Sequence, residues 1–481
     1  MSDRSPSQVT LSLFRESGCA ERSPRVQAVQ WNFGVPAAAG PHCLVNGLTL
    51  PLAPGRILLI SGPSGSGKTS LLHEMKRQLP RAVVAGGSSP RGRRAVIDDV
   101  APRESLALAM SILTACGMGE PALWLRRSAE LSEGERFRFR LAQAIGRALR
   151  ADPPAPILCD EFGATLHRRL AAAAAFSLRK LVTRHRLMLV AAATHAEFAA
   201  DLRPDLHVTL GGERPHVRRA PGGAEAASNV SWFDRLTVEP GNLADYRAFA
   251  PMHYRQRDLL GFVDRVFVLR DGDEPLGVVL YAHPPIELSL RNSATGGRFV
   301  RNGRRLNREM RILRRLVLHP DVRGVGLGHW LVRRTLPLAG VRFVECLAAL
   351  GAVNPVFERA GMIRVGICPL PRGRLRLLQR MRSLRLDPFS HEFPRRISEQ
   401  PRVADLVRRT IADWCNASRG SPRDLARRPP EALAATFRQI IGDPPVYYLW
   451  DREGALPESG RPVADRHHPD GPPAARAERD G

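Results

Sequence analysis

The stretch that most restricts what this chain can fold into is RILLISGPSGSGKTSLLHEMKRQL, residues 56–79. RILLIS is an apolar run of strand length, and LLHEMKRQL carries its apolar residues at helical spacing. Between them the pattern GxxxxGK[ST] is met by Gly62, Gly67, Lys68 and Thr69. Glycines there let successive backbone amides curl around phosphate groups, and the following helix points its positive end at them. Lys68 then reaches the terminal phosphates and the Thr69 hydroxyl serves as a magnesium ligand. The predicted nucleotide contacts are therefore Gly62, Pro63, Ser64, Gly65, Ser66, Gly67, Lys68, Thr69 and Ser70. A loop of this kind sits at the end of a strand inside a layered sheet. Two further strand-like runs, APILCDEF and HRLMLVAAATH, alternate with helical stretches, GERFRFRLAQAIGRALR and RRLAAAAAFSLRKLVTRH. That alternation predicts an α/β layer with a mainly parallel sheet.

Three more elements follow the loop in a fixed order. The helix-opening segment LSEGER spans Leu131–Arg136, the strand ILCDEF ends in Asp160 and Glu161, and a later strand ends in Thr194 and His195. Two carboxylates at a strand end suit one metal ligand and one group that orients an attacking water. As a set, these elements resemble the ABC-type ATPase family over residues 26–215. The resemblance implies ATP and Mg2+ as cofactors, with Thr69 and Asp160 as metal ligands. It also implies a catalytic Glu161, a switch histidine at His195, and a signature loop in which Ser132 and Gly134 meet nucleotide. In that family ATP lies between the phosphate loop of one subunit and the signature of another, so a head-to-tail homodimer is implied. The chain departs from the pattern in carrying Glu133 where glycine is usual and His167 where aspartate is usual. Trp31 or Phe33 is the candidate for stacking on adenine. Asp98 and Asp99 stand nearest to the place of a transporter-coupling glutamine, so a soluble nucleotide switch is expected rather than a transporter.

At 481 residues the chain is long enough for two to four domains. Residues 1–25 read as a disordered N-terminus, 216–229 as a Gly-, Pro- and Arg-rich linker, and 456–481 as a disordered tail. Between these, 230–385 is expected to form a second domain and 386–455 an arginine-rich helical region. No run approaches the roughly 18 apolar residues of a membrane span and no cleavable leader is visible, which predicts a cytoplasmic protein without membrane contact. The seven cysteines have no metal-ligand spacing. The net charge is +25, which points toward a nucleic-acid partner. Nearly all of it is arginine, the lysines being Lys68, Lys76 and Lys180, so coding-sequence composition also contributes.

A second glycine loop, HPDVRGVGLGHWLV (319–332), admits three readings. A dinucleotide fingerprint fits poorly, because the glycines fall as GxGxG and only Glu345 stands near the expected acidic position. A plain structural turn is the second. The third rests on a glycine turn between a strand and an amphipathic helix, where bare amides hold a pyrophosphate. Arg323, Gly326 and Gly328 match [RQ]xxGx[GA], and the segment NPVFERAGM follows downstream, so residues 230–385 resemble the GNAT acetyltransferases. That resemblance implies binding of acetyl-CoA or another acyl-CoA by Val317, Leu318, Arg323, Gly324, Val325, Gly326, Leu327, Gly328 and Asn354. His253 and Tyr254 are the leading candidates for a catalytic base, with His283 and Glu345 behind them. Phe357 occupies the place where the family often has an acidic tyrosine. The combined expectation is an ATP-driven acyltransferase that modifies nucleic acid. Alternatives are acetylation of a protein or small amine, and a nucleotide-switched clamp whose second domain does no chemistry.

Overall fold

The computed structural model describes residues 7–15, 23–34, 42–86, 94–212, 214–220, 228–253, 261–368, 373–417, 428–442 and 444–454. They divide into two compact units. One consists of residues 1–257, 268–278 and 317–328, the other of 258–267, 279–316 and 329–481.

The first unit opens with β1 (Ser7–Arg15) and β2 (His42–Leu52), an antiparallel pair in which Ser7 faces Leu52 and Arg15 faces His42. Residues 1–25 were expected to be disordered, and β1 corrects this for Ser7–Arg15. A strand at His216–Arg219 likewise corrects the start of the linker expected at 216–229, while 1–6, 16–22 and the expected tail 456–481 lie outside the described residues. The run VTLSLF alternates, and Val9 and Leu11 are buried while Gln8, Thr10 and Ser12 face outward or halfway. The central sheet contains β3 (Ile57–Ser61), β4 (Val83–Ala85), β5 (Ile157–Cys159), β6 (Leu189–Ala193), β7 (Leu206–Thr209) and β8 (His216–Arg219), in the order β4-β5-β6-β3-β7-β8. All neighbours are parallel except β7 and β8. Every residue of β3 is buried, as expected when both faces of a parallel sheet are covered. Side chains on successive positions part to opposite faces. Ile57 and Leu59 join the core built from the helices Leu106–Ala115, Glu133–Ala148 and Arg168–Arg184. Leu58 and Ile60 join the core shared with Val9, Leu11 and Leu50 of the hairpin and Leu71, Leu72 and Met75 of the helix Lys68–Gln78. Asp205 anchors the base of β3, accepting hydrogen bonds from the Ile57 amide, Arg56 and the buried Arg179.

The remaining strands are β9 (Leu236–Gly241), β10 (Val263–Asp271), β11 (Glu274–Ala282), β12 (Met310–Leu318), β13 (Phe343–Ala348), β14 (Ile363–Ile367) and β15 (Val446–Asp451). They form a seven-stranded sheet in the order β9-β10-β11-β12-β13-β15-β14. Strands β12 and β13 are parallel, while β15 runs antiparallel to both β13 and β14. A parallel pair needs a crossover, and the helix Leu327–Thr335 between β12 and β13 supplies it. β15 corrects the expectation that the region to residue 455 is helical. VYYLW is a short run of β-branched and aromatic residues, Val446–Leu449 are buried, and the strand lies inside the sheet. The helices Arg374–Ser383, Phe393–Glu399, Pro401–Ala417 and Pro430–Ile441 therefore form an excursion between β14 and β15. They share a core of Phe393, Ile397, Val407, Ile411 and Phe437.

Candidate nucleotide site

Three glycines of the phosphate loop adopt positive φ: Gly62 at 156°, Gly65 at 79° and Gly67 at 92°. Gly62 also admits no side chain, since a Cβ would lie 2.6 Å from the Leu210 carbonyl oxygen. The strand-to-helix reversal thus needs glycine for both conformation and space. Around the loop, the Lys68 ammonium donates to the carbonyls of Gly62 and Pro63 at 2.7 and 2.8 Å. The Ser66 hydroxyl is buried with no hydrogen-bond partner among the described residues. An orphaned hydroxyl and a cation tied only to loop carbonyls fit a polyanion, which offers both groups charge-assisted partners.

The sheet delivers the second half of the site. The Thr69 hydroxyl donates to Asp160 Oδ2 at 2.6 Å across 91 residues of sequence. Asp160 Oδ1 accepts the Glu161 amide at 2.9 Å, which fixes the carboxylate toward Thr69. Glu161 has φ of 51°, a left-handed conformation that a glutamate adopts at a cost of about 1 kcal/mol, and its side chain is exposed. Arg186, Arg203, Arg301 and Arg385 share this conformation, and Glu161 is the one of them that follows the carboxylate bonded to Thr69. Hydroxyl and carboxylate together are hard oxygen donors of the type magnesium prefers. No cluster of three or more His, Cys, Asp or Glu suited to a metal occurs among the described residues, so substrate and solvent oxygens would have to complete any coordination shell.

His195 follows β6, at the same sheet edge as Asp160, and is exposed. Ser132 caps the helix Glu133–Ala148 through a reciprocal capping box with Glu135, and Gly134 lies against Thr165, 3.7 Å from where its Cβ would be. The loop after Glu161 turns at Gly163, packed on Phe198, whose ring meets Phe162 edge-on at 4.9 Å. Trp31 and Phe33, the proposed adenine partners, are exposed on the helix Pro24–Phe33. Asp99 binds Gln143 at 2.9 Å within the unit.

Sequence reasoning missed several neighbours. Leu13 and Leu44 of the N-terminal hairpin stand over Gly67, at 3.2 and 3.0 Å from its would-be Cβ. His207 Nε2 bonds Ser61, the residue before the loop, at 2.7 Å. Burial, with Arg218 and His216 nearby, holds the His207 pKa below the ordinary imidazole value. His167 has two partners: Nδ1 accepts the Leu170 amide, and Nε2 meets Asp321 at 2.9 Å. With Nδ1 accepting, Nε2 is the nitrogen left to donate to Asp321. An aspartate at this position would preserve the cap but set two carboxylates against each other.

The second glycine loop is engaged within the first unit. Arg323 donates to the carbonyls of Leu318, Gly119 and Met252, the last at 2.7 Å, and Gly324 lies on Thr114, 2.8 Å from its would-be Cβ. Val317 and Val325 are buried, and Leu327 is buried at the start of its helix. Gly326 has φ of 101°, whereas Gly328 lies within the helix Leu327–Thr335. Asn354 is exposed in the turn after β13. Among the candidate bases, the His253 amide bonds the Ala250 carbonyl, and Tyr254 falls outside the described residues. His283 Nε2 lies 3.9 Å from Asp264. Glu345 is wholly buried, with its two oxygens taken by Arg291 and Tyr447, so it is a structural ion pair and not a base. Phe357 packs on Tyr448 at 5.4 Å between centroids, and the Tyr448 hydroxyl is held by Glu358 at 2.8 Å.

No protein-family model and no curated protein matches the chain. Among solved structures, a dimeric ATP-binding cassette in a post-hydrolysis state with ADP and Pi is similar at 15% identity. It covers 44% of this chain and 100% of the other, with a TM-score of 0.32. A putative metal-chelate type ABC transporter is similar at 17% identity over 41% of this chain and 86% of the other, with a TM-score of 0.29. A bacterial Atm1-family ABC exporter with ATP bound is similar at 19% identity over 36% of this chain and 35% of the other, also at 0.29. Scores of this size decide nothing, and the α/β layer with its phosphate loop stands on strand order and loop geometry. Among the described residues no helix is long and apolar enough to cross a membrane.

Proposed function

We propose that the first unit binds Mg2+ and ATP and hydrolyses the nucleotide as a switch. The observation that carries this reading is the 2.6 Å bond between Thr69 and Asp160, which joins the phosphate loop to the carboxylate strand at one sheet edge. Lys68, Ser66 and the loop amides would hold the phosphates, and Thr69 and Asp160 would hold magnesium. When bound, magnesium supplies positive charge to the phosphate oxygens. Glu161, carried one residue beyond Asp160 and free of the metal pair, orients the attacking water. Ser132 and Gly134 stand at a helix start whose amides suit a second phosphate surface, consistent with a head-to-tail homodimer around two nucleotides.

The test separates binding from turnover. Lys68→Ala is expected to lose binding of a fluorescent ATP analogue. Glu161→Gln is expected to retain it, lower hydrolysis by roughly 10²-fold or more, and accumulate as a dimer with ATP in size-exclusion chromatography. Unchanged hydrolysis in Glu161→Gln would overturn the assignment.

A second activity, acyl transfer from acetyl-CoA or another acyl-CoA, is supported by the glycine turn between β12 and its crossover helix. Arg323 is already committed to three carbonyls, so pyrophosphate binding would rest on the amides of Gly326, Leu327 and Gly328. The acceptor proposed is nucleic acid, on the strength of the +25 charge. Radiolabelled acetyl-CoA incubated with RNA, DNA and protein fractions identifies the acceptor, and absence of label in all three sinks this second activity.

A further inference from the structure

We propose that the helix Arg374–Ser383 and the turn that follows it form a binding surface for single-stranded nucleic acid. The inference rests on the nucleic-acid part of the reading above and is independent of acyl transfer and ATP hydrolysis.

Residues 373–386, GRLRLLQRMRSLRL, contain no acidic residue. Leu377, Leu378 and Met381 pack toward the core of the helical excursion, which leaves Arg376, Arg380 and Arg382 exposed, with Arg385 beyond the helix end. Arg376 and Arg380 are four apart and therefore neighbours on one helix face. Among the described residues, none of these four guanidinium groups has a carboxylate at ion-pair distance. Elsewhere in the same excursion Arg395 pairs with Glu399 and Arg409 with Asp405, while Arg402, Arg408 and Arg428 are exposed singly on other segments. Three exposed cations on a packed helix and a fourth just past its end form a receptor for a string of phosphates.

The turn adds a second kind of contact. Phe389 is 70% exposed. A lone exposed aromatic is ordinary, but the backbone that carries this one is tied down. Its amide donates to Asp387 Oδ1, and Arg438 donates to the carbonyls on either side, Pro388 and Ser390. Arg396 also donates to the Leu384 and Arg385 carbonyls. Those carbonyls end the arginine helix and would otherwise repel phosphate. An exposed ring on a hydrogen-bonded turn, four residues from Arg385, suits a base that is free to stack. Stacking on an unpaired base favours single strands over duplex, and no acidic peptide needs the ring.

The test uses the full chain and fluorescence anisotropy with a labelled 20-mer of oligo-dT or oligo-U, in the absence of ATP and CoA, across a salt series. Wild type is expected to bind with a steep salt dependence. Replacing Arg376, Arg380, Arg382 and Arg385 by Gln is expected to lower the log–log salt slope by roughly 3, at about 0.7 per phosphate for single strands. Phe389→Ala is expected to weaken binding roughly tenfold without changing the slope. Replacing the exposed Arg94, Arg103, Arg184 and Arg304 by Gln controls for overall charge and is expected to leave slope and affinity nearly unchanged. If the fourfold variant fails to fold, Arg376→Glu and Arg380→Glu singly are each expected to lower affinity. Equal losses in the control set, an unchanged slope in the fourfold variant, or tighter binding of poly-glutamate than of oligonucleotide would overturn the proposal. Lys68→Ala is expected to bind oligonucleotide as wild type does, so failure of the ATPase reading would leave this one standing.

Discussion

Gly146 decides between two opposing effects on the helix that begins at the signature residues. The helix Glu133–Ala148 would gain about 1 kcal/mol of intrinsic propensity from Gly146→Ala. A Cβ at that position, however, would lie 2.1 Å from the Val100 carbonyl oxygen, 3.2 Å from the Val100 carbonyl carbon and 3.3 Å from Ala101 Cβ. The first is a backbone atom, so no rotamer change relieves it. The helices Val96–Val100 and Glu133–Ala148 must move apart by roughly 1 Å in a close-packed core. Overpacking of this kind costs up to about 3 kcal/mol, which leaves a net loss of roughly 2 kcal/mol after the propensity gain. For a unit of this size that is a fall in Tm of roughly 4–8 °C, read from the thermal transition of the full chain. The displacement also reaches Ser132 and Gly134 at the other end of the same helix, so ATP turnover should fall along with stability. Gly303→Ala is the matched control. Gly303 opens the helix Gly303–Glu309 with nothing within 4 Å of a would-be Cβ, and a gain of about 0.4–1 kcal/mol is expected. A Gly146→Ala protein as stable as wild type would refute the reasoning about helix contact.

Two further expectations concern the loops. Arg323→Gln removes a guanidinium from three backbone carbonyls and is expected to destabilise the first unit by about 2 kcal/mol in chemical denaturation. Retention of full stability with loss of CoA binding would instead make Arg323 a ligand residue. His207 has its pKa lowered by burial and positive neighbours, so the unfolded chain binds its proton more readily than the folded one. Stability from this group is present above the unfolded value of about 6.5 and is lost as pH falls through it toward the lower folded value. His207→Gln keeps a partner for Ser61, and its stability should decline less steeply below about pH 6.5 than that of wild type. Identical slopes would show that His207 does not carry this dependence.

The phosphate loop was legible because its chemistry is local: three glycines, a lysine and a threonine within eight positions dictate their own turn. Thr69 and Asp160 were also readable, since strand ends in a parallel layer converge on one edge. What lay out of reach depends on pairings across long separations. Nothing near Glu345 in sequence announces Arg291, 54 residues away, or Tyr447, 102 residues away, so a buried ion pair looked like a candidate base. Nothing near Arg323 announces the Gly119 carbonyl, 204 residues away. The hairpin leucines over Gly67 were hidden for a different reason, because β1 lies in a segment whose flanks are polar enough to suggest disorder. Within the expected helical region 386–455 the helices Phe393–Glu399, Pro401–Ala417 and Pro430–Ile441 are present, while β15 was obscured because an isolated apolar run gives no sign of which sheet takes it in.

The position of β15 sets an order of events during synthesis. Strands β13 and β14 both use it as their antiparallel neighbour, yet it leaves the ribosome only after the whole helical excursion from Arg374 to Ile441. Until then β13 presents an open edge with Phe343, Val344 and Cys346 ready to pair with any passing strand. A messenger truncated anywhere in the excursion would therefore yield a chain whose seven-stranded sheet lacks β15 and keeps an aggregation-prone edge at β13. The last-made strand acts as the checkpoint for completion of that sheet.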